Sequence, residues 1–499
     1  MITFLVSMLA LIVGYMLYGR FVERVFAPDG RKTPAQISAD GVDYIPMSTW
    51  KATLIQLLNI AGLGPIFGAL AGACFGPIVF LWIVFGSILG GAVHDYMSGM
   101  ISGRHHGESL AGLSGRYLGK PGLYGMRVFS ALLLVLVGVT FTAAPAALLA
   151  KLVSQSTLFS SLPAIFSTKG FWIIAILCYY VLATLLPIDK IIGRFYPLFG
   201  VLLGVMALGI MGAVLLDPQL RANIPEMQLA NLHPKGQAAW PFMFIVVACG
   251  AISGFHATQS PMMAKCMVGE REGRKIFYGA MIMEAAIALI WAAAGSAFYG
   301  STGGLAQGLA AATPAGAVYD ISTSTLGAVG GAMAVIGVIV CPITSGDTSF
   351  RTVRLILAEW AGLDQKSFSR RLIITIPLML VGAALTQINF DILWRYFSWA
   401  NQTLAMMALW VATAYLVRHE NWRFSSLITA LPAAFMTAVT MTYILMAPEG
   451  FSLSASIAYP LGIGIAVALF AWYLLHAFKT HSVGAPLPMS KAAVAIGRA

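Results

Sequence analysis

The chain has 499 residues, 59% of them hydrophobic and only 10% charged, with a net charge of +11. Soluble domains carry about 25% charged residues, so this composition excludes a soluble globular protein and indicates a polytopic membrane protein with little mass outside the bilayer. The five cysteines, Cys74, Cys178, Cys249, Cys266 and Cys341, form no CxxC pair. Their spacing argues against a disulfide framework or a zinc site and reads each as a packed core residue.

Thirteen apolar runs are long enough to span, against the roughly 20 residues a bilayer requires. In chain order they lie near 2–19, 53–75, 77–101, 128–150, 171–187, 195–216, 240–263, 276–300, 326–346, 372–390, 392–417, 424–446 and 453–478. The start, Met1-Ile2-Thr3-Phe4-Leu5, has no positive n-region, and Arg20 and Arg24 follow the first run. That pattern predicts a retained first helix with its N-terminus outside. The inner segments would then be 20–52, 102–127, 188–194, 264–275, 347–371, 418–423 and 479–499, and they hold 25 of the 30 Lys and Arg. Lys151, Lys169, Arg221 and Lys235 fall outside, and Arg395 lies in a run, near its outer end, where it can snorkel. Seven alternate segments are basic, so the charge is mostly topological, and nucleic-acid binding has no support.

Two runs contain residues that do not suit a straight spanning helix. The second reads Asn59-Ile60-Ala61-Gly62-Leu63-Gly64-Pro65, and the seventh reads Gly250-Ala251-Ile252-Ser253-Gly254-Phe255-His256-Ala257-Thr258-Gln259-Ser260-Pro261. Pro lacks an amide donor and Gly frees the backbone, so both stretches read as broken helices. Unwound backbone at membrane depth persists only where it lines a cavity or is buried in protein. Setting aside the first run and the last two leaves ten spans over 53–417, five plus five, each half opening on a break. Odd halves take opposite orientations, and inverted repeats with broken first helices are the LeuT-type arrangement. The expected organisation is an all-α integral membrane protein of about 13 transmembrane helices. It comprises an extra helix at 1–19, a first repeat at 53–216, an inverted repeat at 240–417, two peripheral helices at 424–478 and a cytoplasmic tail at 479–499. The outer segment 301–325 reads as a lid or a flexible loop. Segment 348–361 reads as an interfacial amphipathic helix.

The breaks supply a substrate-binding set: Asn59, Gly62, Gly64, Ser253, Gly254, His256, Thr258 and Gln259. Half-helix ends face an anion or coordinate a cation, and the alternative is a proline kink at a helix contact. His256 reads as the only histidine at such depth, and an intramembrane ionisable group is functional by default. Thr344, Ser345 and Asp347, with Ala61 of the first break, form a coupling-ion set of hard oxygen donors for Na+ or H+. The alternative for Asp347 is a pair with Arg351 four residues on. Asp95 and Arg104 are a gate or proton relay, or a structural ion pair. Glu284, deep in its span, needs a partner or a proton, and Asn401-Gln402-Thr403 reads as helix-to-helix glue. No lone carboxylate sits at either break to meet a substrate ammonium.

Several segments resemble the carbon starvation protein A (CstA) family. They are Asp43-Tyr44-Ile45-Pro46, Asn59 to Pro65, His94-Asp95-Tyr96 through Ser109-Leu110, Cys249 to Pro261, and Cys341-Pro342-Ile343-Thr344-Ser345-Gly346-Asp347. The chain is similar to the shorter members and lacks the extended span set of the long ones. The resemblance implies uptake of peptides, or of pyruvate, when preferred carbon is scarce, across a bacterial inner membrane, within the LeuT superfamily. The expected protein is an ion-coupled symporter whose partners are membrane lipid and a small-molecule substrate. It is expected to be no enzyme and to hold no resident cofactor, and no metal beyond a possible sodium. A membrane enzyme or electron carrier and a passive channel are the rival classes, and haem would want paired mid-span histidines.

Overall fold

The computed structural model describes residues 1–39, 44–155, 161–185, 192–363, 368–419 and 424–480. Asp43, residues 188–191 of the expected inner segment 188–194 and the expected tail from 481 onward lie outside the described residues.

The chain folds as helices α1 (Ile2–Phe26), α2 (Pro34–Ile37), α3 (Thr49–Ile60), α4 (Gly64–Ala73), α5 (Ile78–Phe85), α6 (Ala92–Arg104), α7 (Leu110–Gln155), α8 (Lys169–Leu185), α9 (Ile192–Leu216) and α10 (Pro218–Ala222). They are followed by α11 (Ala239–Val246), α12 (Gly254–Ala264), α13 (Gly279–Tyr299), α14 (Thr302–Val335), α15 (Cys341–Ala361), α16 (Phe368–Leu385), α17 (Phe390–His419), α18 (Leu427–Met446) and α19 (Ala455–Thr480). Single π-helical turns join α5 to α6 and α14 to α15, and one precedes α13. Among the described residues the one β-type contact is an isolated bridge between Met47 and Met267.

Each of the thirteen expected runs is occupied by a helix or by a broken pair. Eight helices are individually long and apolar enough to cross a bilayer, and two bent pairs bring the number to ten among the described residues. Of the rest, α8 and α9 offer shorter apolar stretches, and α11 and α12 are two half-length pieces. The chain is a multi-pass membrane protein. Helices α6, α7, α13 and α17 form the buried interior, whereas α1, α16 and α19 bury less than a third of their apolar windows and ring it.

The first break lies where expected. Between Ile60 and Gly64 the chain turns by 52°, and Pro65 sits in the first turn of α4, where its missing donor costs nothing. The second lies earlier than expected. The chain leaves helix after Val246 and re-enters at Gly254, with Gly250 at φ 89°. His256, Thr258, Gln259 and Pro261 are therefore helical residues of α12, not part of the unwound stretch. Only glycine takes that φ freely, so the break centres on Gly250 and not on Pro261.

Two other expectations are refined. Segment 301–325 is helical from Thr302, forming the first part of α14 with non-helical backbone at Thr313 and Gly327, so of the two alternatives the flexible loop is excluded. Residues 348–361 continue α15 without interruption, so this stretch is not a separate interfacial helix. Its face carrying Phe350 and Val353 is buried, and Leu355 and Trp360 are exposed.

Candidate functional site

A stripe of glycines brings the two breaks together. Gly64, Gly68 and Gly72 recur every four residues on one face of α4. A Cβ at Gly64 would collide with the Cβ and Sγ of Cys249, and one at Gly68 would lie 2.9 Å from the carbonyl oxygen of Val246. The backbone of Pro65 approaches Gly250. Small residues at this spacing let helix backbones approach closely, so the N-terminus of α4 lies against the unwound 247–253 segment.

That segment needs hydrogen-bond partners at a depth without water, and α17 provides them. Asn401 accepts the Phe255 amide proton on Oδ1 at 2.7 Å, and its Nδ2 donates to Ser253 Oγ at 3.0 Å. Gln402 Nε2 donates to the carbonyls of Phe244 and Val247 at 2.9 and 3.4 Å. Trp82 Nε1 also donates to Val247 at 3.3 Å. Asn401 thus caps the start of α12 while Gln402 closes the end of α11. The pair acts as glue, as the sequence suggests, but the glue is aimed at a break.

Behind the second break is a chain of buried ionisable groups. His94 Nδ1 lies 2.8 Å from Asp95 Oδ1, Asp95 Oδ2 lies 2.9 Å from His256 Nδ1, and His256 Nε2 lies 3.3 Å from Glu284 Oε2. All four side chains are fully shielded from solvent. The last separation is an ion-pair distance without hydrogen-bond alignment, so both Glu284 oxygens and His256 Nε2 lack a hydrogen-bond partner. Cys249, His256 and Glu284 each offer one ligand atom, all within 4.8 Å of one another, which is the one grouping of metal-ligating type among the described residues.

The expected site residues fall into three places. Gly62, Gly64, Ser253, Gly254, His256 and Gln259 are buried at the paired breaks, with Asn59 and Thr258 partly buried beside them. Thr258 Oγ1 donates to the Phe255 carbonyl at 2.6 Å and accepts from Gln259 Nε2 at 2.9 Å. Ser260, against Gln56 at 3.3 Å, ties α12 to α3. Ala61 is buried in the first break. Thr344, Ser345 and Asp347 lie on α15, which packs on α7 and α8, and Gly346 abuts the Tyr180 hydroxyl. Asp347 is 1% exposed; its Oδ2 lies 3.5 Å from Arg351 Nη2 and its Oδ1 has no hydrogen-bond partner.

Asp95 does not reach Arg104. Arg104 Nε and Nη2 meet Glu270 Oε1 and Oε2 at 3.0 and 3.2 Å, and Nη1 donates to the Tyr415 hydroxyl at 2.9 Å. The guanidinium also covers the Phe26 ring at 3.9 Å and donates to the Ala27 carbonyl at 3.0 Å. It therefore ties α1, α6, the turn before α13 and α17 together at the end of the bundle expected to be cytoplasmic. Arg395 meets Glu449 at 2.9 Å, so it is paired and not merely snorkelling.

Three members of the cluster escaped sequence reading as site residues. His94 is as buried as His256, so His256 is not the only deep histidine. Glu284 stands beside the second break, which therefore does not lack a carboxylate. Cys249 carried only the signal of its place next to Gly250.

The family model described as "Carbon starvation protein CstA" matches residues 1–167, 145–299 and 291–443. An uncharacterized membrane protein of Haemophilus influenzae is 44% identical over 339 residues, covering 60% of this chain and 91% of that one. The pyruvate/proton symporter BtsT of Escherichia coli is 27% identical, covering 56% of this chain and 46% of its own length. The peptide transporter CstA of Campylobacter jejuni is also 27% identical, over 56% of this chain and 47% of its own. The matches thus span about half the length of these two transporters. Among solved structures, MhsT in complex with L-phenylalanine superposes with a TM-score of 0.57 at 15% identity, covering 88% of this chain and 99% of that one. That likeness shows the LeuT-type transporter fold.

Proposed function

The chain belongs to the carbon starvation protein CstA family, and on that premise we propose that it is an ion-coupled symporter that takes up small peptides during carbon starvation. It would work in a bacterial inner membrane with its N-terminus outside and its C-terminus in the cytoplasm. One observation carries the reading: two interrupted helices meet, through Gly64 against Cys249, in the buried middle of a helical bundle. Interrupted spans paired at that depth are where secondary transporters bind substrate.

In this reading the substrate carboxylate meets the N-terminal end of α4, where the helix dipole favours negative charge. Ser253, His256 and Gln259 complete the polar wall from α12. Asp347, with an unpartnered oxygen beside Thr344 and Ser345 on α15, supplies the coupling site for Na+ or H+, and Ala61, in the first break, stands apart from it. Arg104 acts with Glu270 as the inner latch.

A second reading, a proton-coupled symporter of pyruvate or a similarly small carboxylate, is favoured by closure of the site. Ser253, His256, Gln259 and Ser260 are all 0–1% exposed, which suits a three-carbon acid better than a peptide. Uptake of labelled dipeptide and labelled pyruvate into proteoliposomes, under an inward proton gradient and then a sodium gradient, tests both readings. Accumulation of the dipeptide under one gradient supports the first, and accumulation of pyruvate alone supports the second. Failure of both with correctly inserted protein overturns the symporter.

A further inference from the structure

We propose that Cys249, His256 and Glu284 form a binding site for one borderline-soft divalent transition ion of the zinc class. The three residues come from three pieces of chain: the unwound segment, α12 and α13. Their ligand atoms converge within 4.8 Å, and all three side chains are buried.

Four features point to a cation of this type. The first is donor chemistry. One sulfur, one imidazole nitrogen and one carboxylate oxygen match the ligand set of zinc and are a poor set for sodium or magnesium, which take oxygen. The second is unused capacity. Both Glu284 oxygens and His256 Nε2 have no hydrogen-bond partner, although burial makes an orphaned polar group costly. Ligands about 2.1 Å from one ion in tetrahedral array stand about 3.4 Å apart. His256 Nε2 and Glu284 Oε2 are already 3.3 Å apart.

The third feature is the support behind the histidine. Asp95 accepts from His256 Nδ1 at 2.9 Å, which places the proton on Nδ1 and turns the Nε2 lone pair toward Glu284. A carboxylate holding the far side of a metal-binding imidazole is the usual supporting arrangement at zinc sites. Asp95 is itself held by His94 at 2.8 Å. The fourth is charge. A thiolate and a carboxylate sum to −2, which a divalent ion offsets in a medium that penalises net charge, and the further charge of Asp95 is faced by both His256 and His94. A bound ion would staple the second break to α13 and leave one coordination position open.

The proposal deepens the transporter reading at its second break but is tested without transport. Protein purified in detergent is stripped with a chelator and titrated with Co2+ and then with Zn2+. Wild type is expected to bind one Co2+ per chain with a thiolate-to-cobalt charge-transfer band in the near ultraviolet, displaced by Zn2+. Cys249→Ser should lose that band while keeping the elution profile of folded protein; the other four cysteines remain as internal controls. Asp95→Asn, which removes only the support, should weaken Zn2+ binding by about 10–100-fold and retain the band. Glu284→Gln should weaken binding with the band retained. Absence of saturable binding by folded wild type, or an unchanged band in Cys249→Ser, overturns the proposal. Uptake measured with and without the chelator separates the two readings: intact uptake by a protein that binds no metal removes the metal site and leaves the transporter.

Discussion

Asn401 and Gln402, neighbours on α17, close opposite ends of one helix break: Asn401 takes the Phe255 amide at 2.7 Å and Gln402 gives to the Phe244 carbonyl at 2.9 Å. Two consecutive side chains on a helix point about 100° apart, so one dipeptide reaches both α12 and α11. The unwound segment is held from outside itself, by α17 at both ends and by Trp82 of α5 at Val247.

Asn401→Ala should therefore lower the melting temperature of the detergent-purified protein. Leaving a buried amide unpartnered costs about 1–3 kcal/mol. Gln402→Ala should cost a similar amount, and the double substitution less than the sum, because both act on the same segment. Thermal unfolding of the three variants measures this. An unchanged melting temperature in Asn401→Ala would contradict the capping role.

Gly64 admits no side chain against Cys249. Gly64→Ala should destabilise by about 1–3 kcal/mol through overpacking and reduce uptake with it. Cys249→Gly in the same chain should restore part of the loss, since the collision is with that residue's Cβ and Sγ. Melting curves of the single and double variants check the pairing, and no recovery would place the strain elsewhere.

Removing one partner of the Arg104–Glu270 pair should open the inner end of the bundle. Arg104 is 10% exposed and Glu270 4%, and loss of one member of a buried pair costs about 3–5 kcal/mol. That corresponds to about a hundredfold or more in the ratio of closed to open forms. A thiol placed by Ser98→Cys, normally buried, should react with a membrane-impermeant maleimide much faster in Glu270→Gln than in the parent. Equal rates would deny the pair a gating role.

His105, in the turn between α6 and α7, is pushed down to about 4 by burial and then by the charges of Arg116, His419, His106 and Arg104. Its Nε2 lies 2.7 Å from the Tyr117 hydroxyl, and Tyr415 packs edge-on to its ring. The folded chain binds the proton less readily than the unfolded one, whose value is 6.5. Stability should be unaffected above that value and fall as pH drops from 6.5 toward 4. The protection of amides across residues 105–117, taken relative to their intrinsic exchange rate at each pH, should fall over that window, and His105→Asn should flatten the dependence.

Much of the architecture was legible because it rests on simple physics. Apolar length located the runs, and Gly62, Gly64 and Pro65 marked the first break. The second break was misplaced by several residues. Pro261 is the louder signal, but a proline can sit within a helix whose neighbours satisfy the freed carbonyl, whereas the positive φ at Gly250 cannot be read from sequence. The cluster was legible only in parts. Asp95 and His256 are 161 positions apart, and nothing local says they touch. Glu284 was recognised as needing a partner, but that partner could be identified only once α12 and α13 were placed. Cys249 looked like any core cysteine, because its meaning comes from the two side chains that converge on it.

Active transport through the paired breaks is the activity proposed for this chain. Its most direct test is whether purified chain in proteoliposomes concentrates labelled dipeptide above the outside level under an inward cation gradient, and loses it when an ionophore collapses that gradient. Accumulation should be abolished by the ionophore and by Gly64→Leu. Equilibration to the outside concentration and no further, with or without the ionophore, would show a passive pathway and contradict it.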